Sequence, residues 1–191
     1  SSGGSVDLVR QAKAKGLPVT CEVAPHHFIL TDEACRGYDT NAKMSPPLRT
    51  NSDLEMIKEG MKDGTIDIIA TDHAPHDLVD KQVEFSKACF GIVGLETALP
   101  LTLKMVDEKV ISLERAIEML TSQPNKIFGL DKGSLEVGRV ADIAIFDENK
   151  KYSIDPSKFK SRSKNSPFKD WKVRGKILRT LVNGKTVYKS H

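Results

Sequence analysis

Long apolar runs are missing from this 191-residue sequence. None nears the ~20 residues that a membrane-spanning helix needs, and no signal-peptide pattern opens the chain. Cysteine is scarce. Cys21, Cys35 and Cys89 are odd in number, scattered and without CxxC spacing, which argues against a disulfide framework or a structural zinc knuckle and fits a reducing, cytoplasmic setting. An excess of one charge is also lacking. A net charge of +3 is too small to signal nucleic acid or an anionic membrane, and the basic residues between Lys158 and Lys189 read as a solvated surface. There is no internal repeat or low-complexity tract. What remains is the composition of a soluble globular chain, 39% apolar and 29% charged, long enough for one domain or a large piece of something bigger.

The pattern along the chain alternates. Val6, Leu8, Val9 and Ala12 predict an amphipathic helix over 5–15, with Ser5 as N-cap, Asp7 in the first turn and Gly16 as the stop. Residues 17–23 read as a strand that runs into Ala24-Pro25-His26-His27. A helix over 51–63 follows, with Leu54, Ile57 and Met61 apolar, Asn51 or Ser52 as cap and Gly64 as terminator. Residues 66–70 are apolar without alternation, as expected of a strand covered on both faces. A polar loop occupies 77–90, of a length that usually has a function. Helices are predicted at 92–106, 112–121 and 123–128. From Gly133 the texture turns β-like, at 140–146, 177–182 and 186–188, with Asn183-Gly184 as a hairpin turn.

Strand, helix, strand, helix means parallel βα units. Two histidine-bearing segments, Pro25-His26-His27 and Asp72-His73-Ala74-Pro75-His76, follow the ends of strands. That is where (β/α) barrels carry their chemistry. About two full units are visible where a complete barrel has eight, so a barrel requires residues upstream.

Each candidate has a bland reading beside the sharp one. Asp72 at the end of a buried strand costs free energy unless paired or bound to a cation. It either caps its loop through backbone N–H groups or binds metal and moves a proton. His73 and His76 beside it favour chemistry, since oxygen and imidazole suit zinc. His76 can equally donate to an anionic substrate. His26 and His27 are adjacent, so on a strand they point to opposite sides and read first as packing histidines. Glu22 lies within the strand, where burial would be costly. The loop "NAKMSPPLR" is stiffened by Pro46-Pro47 and either merely connects or presents Lys43, Ser45 or Arg49. Phe90-Gly91 is predicted to begin a helix whose N–H groups can meet a carboxylate, or to be an ordinary turn. Cys21 and Cys89 lack a neighbouring base and read as packed thiols.

Taken in order, "VTCEVAPHHFILTDE", "KMSPPLRT", "ATDHAPH", "FGIVGLETALPL", "GSLEVGRVADIAIFD" and the closing "KNSPFKDWKVRGKILRTLVNGKTVY" resemble the C-terminal half of a class I dihydroorotase, of the amidohydrolase superfamily. The resemblance covers nearly the whole chain. It implies an α/β fold, the C-terminal part of a (β/α)8 TIM-like barrel over 1–132, and a β-sandwich segment over 133–191. The implied reaction is the reversible conversion of N-carbamoyl-L-aspartate to L-dihydroorotate in pyrimidine synthesis, with zinc promoting attack of water on the ring amide. It implies that Asp72 binds metal and moves the proton, that His76 holds the substrate carboxylate, and that Ser45, Phe90 and Gly91 touch substrate. In some members the acid matching Glu22 binds an additional zinc. Two departures stand out: Ser45 where many bacterial members have Asn, and Cys89 where Pro is common.

The family's first-strand His-x-His pair is absent from the sequence. The bridging carboxylate and two further metal histidines also belong upstream, the last of them just before a segment like Ser1-Ser2-Gly3-Gly4. The expectation is therefore a fragment, inactive alone because one carboxylate cannot hold a catalytic zinc site. Its open barrel surface is expected to be covered by the missing half or by another copy. Three other readings follow from the same superfamily: an allantoinase, a dihydropyrimidinase, or a non-catalytic structural partner of aspartate transcarbamoylase.

Overall fold

The computed structural model describes residues 1–190. Helix α1 (Gly3–Ala14) begins earlier than its apolar pattern indicates, because the Ser2 side chain, not that of Ser5, caps it by accepting from the Ser5 amide. Strand β1 (Glu22–Val23) pairs in parallel with β2 (Ile68–Ile69), Glu22 opposite Ile68 and Val23 opposite Ile69. Flanking bonds from Asp67 N to Cys21 O at 3.1 Å and from Ala70 N to Val23 O at 3.1 Å extend the pairing. The strand predicted over 17–23 is thus confined to its end, where a partner exists. Both β2 side chains are buried, as the non-alternating pattern requires.

His26 and His27 are not on a strand. Pro25 opens a short helix, α2 (Pro25–Ile29), in the position where its missing N–H costs nothing, and both imidazoles are buried there. Helix α3 (Asn51–Lys62) carries Leu54, Ile57 and Met61 inward as predicted. Its cap is Thr50, whose hydroxyl accepts from Asp53 N. The loop after β2 contains one turn of helix, α4 (Leu78–Lys81). Residues 92–97 are not helical: His73 bridges Ile92 in parallel, the Ala74 amide donates to Ile92 O at 2.8 Å, and α5 (Ala98–Asp107) starts only afterwards. Gly91 therefore heads a strand-like segment and not a helix. Helices α6 (Leu113–Leu120) and α7 (Ser122–Phe128) follow.

Strands β3 (Ile143–Ser153), β4 (Lys172–Val182) and β5 (Lys185–Lys189) form one antiparallel sheet in that order, with Asn183-Gly184 joining the last two. Two apolar cores result. One gathers Val6, Val23, Phe28, Ile57, Met61, Ile69, Met105 and Met119 around the parallel strands. The other combines Leu30, Met44, Leu48, Ile92 and Leu101 with Ile154, Phe168 and Val173. Burying each such side chain contributes about 2 kcal/mol, so the second core fastens the C-terminal segment to the loops that follow the parallel strands. An ion pair from Arg174 to Asp107 at 2.7 Å lies across the same junction. No helix among the described residues is long and apolar enough to cross a membrane.

Candidate active site

The segment after β2 turns sharply. Asp72 has a φ of 48°, in the left-handed region that Asp and Asn tolerate better than most residues, and its side chain is 53% exposed. The turn aims the carboxylate outward at the C-terminal end of the parallel pair. His26 lies beside it, with Nε2 4.0 Å from Asp72 Oδ2. That is too long for a hydrogen bond. It is no ion pair either, because burial holds the His26 pKa down to about 3, with the neighbouring His27 a smaller cause. His26 Nε2 is buried without a hydrogen-bond partner among the described residues. An orphaned nitrogen and a free carboxylate facing each other across 4.0 Å fit a polar atom bound between them.

His27 ties the proline loop to this mouth: its Nε2 lies 3.1 Å from Pro46 O. Burial also lowers the His27 pKa, so the ring is neutral and donates to that carbonyl. Ser45 is exposed in this loop. Glu22 is exposed on β1, one residue before buried Val23, so the costly buried carboxylate anticipated there does not occur.

His73 accepts from the Gly94 amide through Nδ1 at 3.0 Å. Its role is to seat the 91–94 segment. His76 lies 2.7 Å from the Phe90 carbonyl through Nε2, which therefore carries the proton. Phe90 is half-exposed and Gly91 buried. Gly91 has a φ of 100°, and a Cβ there would stand 2.6 Å from that of Ala74. One at Gly94 would stand 2.6 Å from Thr71 O. Only glycine lets the 72–76 and 90–94 segments lie this close. The Gly91 amide already donates to Lys43 O at 2.8 Å and is not free for a ligand.

Three side chains that hold these loops carry no such role in the sequence pattern. Asn165 is buried; its Oδ1 accepts from His76 N at 3.2 Å, while Nδ2 donates to Ala74 O at 3.0 Å and Gly91 O at 3.2 Å. Its backbone carbonyl accepts from Val93 N at 3.0 Å. Lys81 is buried and donates to Cys89 O at 2.8 Å and Gly91 O at 3.1 Å, and desolvation lowers its pKa. Lys43 points inward instead of toward a ligand. It donates to Ser86 O at 3.0 Å and Ala88 O at 2.6 Å, and stands 4.5 Å from the centre of the Phe90 ring. Two buried ammonium groups satisfied by carbonyls thus fix the path of 86–91. Beside His76 lies a cleft of about 480 Å³ whose lining includes Lys81, Arg162 and Lys164 against a single carboxylate, Asp77. Its chemistry suits an anion.

Parallel βα units with an acid and imidazoles at the strand ends are the arrangement expected of part of an α/β barrel. The chain belongs to the amidohydrolase family, which matches residues 1–187. It is 54% identical over 190 residues to the dihydroorotase of Geobacter sp. strain M21, covering 100% of this chain and 45% of that protein. It is also 54% identical over 189 residues to the dihydroorotase of Syntrophotalea carbinolica, covering 99% and 44%. Among solved structures, L-hydantoinase (dihydropyrimidinase) from Arthrobacter aurescens superposes with a TM-score of 0.92 at 34% identity, over 99% of this chain and 43% of that one. Dihydropyrimidinase from Brevibacillus agri gives 0.92 at 25% identity, over 99% and 43%. The chain spans less than half the length of these curated relatives, and its fold is that of part of a (β/α)8 amidohydrolase barrel.

Proposed function

We propose that this chain carries the proton-transfer and substrate-anchoring half of a zinc-dependent dihydroorotase, with residues 1–132 as barrel and 133–191 as the sandwich segment. The carrying observation is the outward-aimed Asp72 carboxylate opposite the unpartnered His26 Nε2, in a chain 54% identical to dihydroorotases.

In the ring-opening direction, water adds to the amide carbonyl of dihydroorotate. Asp72 accepts a proton from that water and returns it to the ring nitrogen as the C–N bond breaks, giving N-carbamoyl-L-aspartate. His76 and the cationic cleft beside it anchor the substrate carboxylate. That carboxylate competes with the Phe90 carbonyl for the Nε2 proton, so binding exchanges one hydrogen bond for a charge-assisted one. Phe90 and Gly91, and Ser45 from the proline loop, are the residues assigned to contact with the substrate. Zinc, when bound, supplies Lewis acidity and lowers the pKa of water. Asp72 fits it as one ligand, and exposed Glu22 is the candidate for an additional ion. Three or four ligands are needed, and among the described residues no cluster of three possible ligand residues includes Asp72. The other ligands are supplied by the part of the protein outside this chain, and the chain alone is inactive.

A hydantoin- or dihydropyrimidine-cleaving hydrolase is the second reading, favoured by the 34% identity to the Arthrobacter L-hydantoinase. Cytoplasmic residence goes with the dihydroorotase reading, and association with aspartate transcarbamoylase with the alternative of a non-catalytic structural partner. The test is turnover by the full-length protein of dihydroorotate, hydantoin and dihydrouracil side by side. Dihydroorotate preference supports the proposal. Cleavage of the other two alone replaces it with the second reading.

A further inference from the structure

The loop that follows the active-site strand contains a second cluster. We propose that His76, Asp80 and Cys89 form a binding site for a soft divalent cation such as zinc or cadmium. One ligand atom from each residue lies within 4.8 Å of the other two. The residues come from three places along the chain: the end of the segment after β2, helix α4, and the turn before Phe90-Gly91.

The backbone holds these places together without help from an ion. The Cys89 amide donates to Asp80 O at 3.2 Å. Lys81 Nζ donates to Cys89 O at 2.8 Å. His76 Nε2 donates to Phe90 O at 2.7 Å, which fixes the ring beside Cys89.

The donor set is chemically selective. Thiolate, imidazole and carboxylate together suit zinc and softer ions and discriminate against magnesium and calcium. A thiolate and a carboxylate balance the charge of a divalent ion. The Lys81 ammonium beside Cys89 holds its carbonyl at 2.8 Å. His76 and Cys89 are half-buried while Asp80 is exposed, so solvent reaches the site and water can complete a tetrahedral shell.

Occupation has a consequence for the reaction, which rests on the reading of His76 as the carboxylate anchor. An ion held by this imidazole withdraws it from substrate. Excess zinc is therefore an inhibitor acting through Cys89 and Asp80, on loop residues that do not themselves contact the reacting bond.

The experiment uses the full-length, metal-loaded protein and titrates cadmium while following the ultraviolet charge-transfer absorption of a cadmium–thiolate bond. One such band is expected on addition of cadmium. Cys89→Ser abolishes it, and Asp80→Asn shifts its midpoint to at least about tenfold higher cadmium. Both variants keep their turnover at limiting zinc, and inhibition by excess zinc moves to at least about tenfold higher concentration. A band that persists in Cys89→Ser assigns the thiolate to another cysteine and overturns the proposal, as does the absence of a band in the native protein. If the native protein fails to turn over dihydroorotate but the Cys89-dependent band is present, the site stands and only the reading of the reaction falls.

Discussion

Asn165 reaches both the 74–76 segment and Gly91 with one amide group: Nδ2 donates to Ala74 O at 3.0 Å and to Gly91 O at 3.2 Å, while Oδ1 accepts from the His76 amide at 3.2 Å. The residue belongs to the C-terminal segment, which the second apolar core fastens against the loops. The closing part of the chain thus sets the position of His76. Asn165→Ala leaves two carbonyls and an amide without these partners, at a cost of about 1–3 kcal/mol for a buried group. The expected result in the full-length enzyme is a lower denaturant midpoint and a rise in KM that exceeds the fall in kcat. A merely structural role would lower the midpoint and leave KM unchanged.

Asp72 separates two effects that a single alanine would mix. Its backbone sits at a φ of 48°, which Asn tolerates and Ala resists by roughly 1–2 kcal/mol. Asp72→Asn is therefore expected to fold normally and to lose at least about 10²-fold in kcat, with weaker zinc binding. Asp72→Ala loses the same activity and some stability as well. Thermal unfolding beside steady-state kinetics distinguishes the two contributions.

On the proposed reading, His76→Ala removes the carboxylate anchor and leaves the Asp72 proton shuttle in place. A higher KM for dihydroorotate with a comparatively small change in kcat is expected, measured together with the affinity for a carboxylate-bearing product analogue. Equal losses in kcat and kcat/KM would place His76 at the reacting bond instead.

Much of this arrangement is legible in the residues. The β2 strand is visible because apolar residues run to the acid without alternation, and the Asn183-Gly184 hairpin because that dipeptide suits only a few turns. Local rules fail where tertiary contacts decide. Apolar residues at 92–97 imitate a helix start, yet pairing of His73 with Ile92 holds them extended until α5. Asn165 and Lys81 give no signal, because a buried amide or ammonium group that binds carbonyls far along the chain has no local pattern. Lys43 gives an ambiguous one: beside a rigid proline loop it reads either as presented to a ligand or as part of a stiff connector, and it turns inward to the carbonyls of Ser86 and Ala88.

Gly91 tests the close approach of the two loops. Its φ of 100°, and the 2.6 Å that would separate an added Cβ from that of Ala74, make Gly91→Ala both strained and overpacked, by roughly 1–3 kcal/mol. Reduced stability with a displaced Phe90 is expected. Ala74→Gly in the same chain relieves the steric part and restores part of the thermal midpoint, which differential scanning calorimetry measures.

Acid should weaken the fold through His26 and His27. Burial lowers both pKa values, that of His26 to about 3, while the unfolded chain takes up protons near about 6.5. The unfolded state then binds more protons below that point. Stability is full above about pH 6.5 and falls as pH drops toward about 3, by at most about 1.4 kcal/mol per pH unit for each histidine. Denaturant midpoints measured across this window should slope downward with acidity, and less steeply in His26→Gln.

Asp72 as the proton carrier of a dihydroorotate ring hydrolase is tested most directly by two rates. These are dihydroorotate ring opening, and the reverse closure of N-carbamoyl-L-aspartate, by the full-length protein and by its folded Asp72→Asn variant at equal zinc content. Activity in both directions for the native protein, lost in both for the variant, is the predicted result. Native-like turnover by a folded, zinc-loaded Asp72→Asn protein would contradict it.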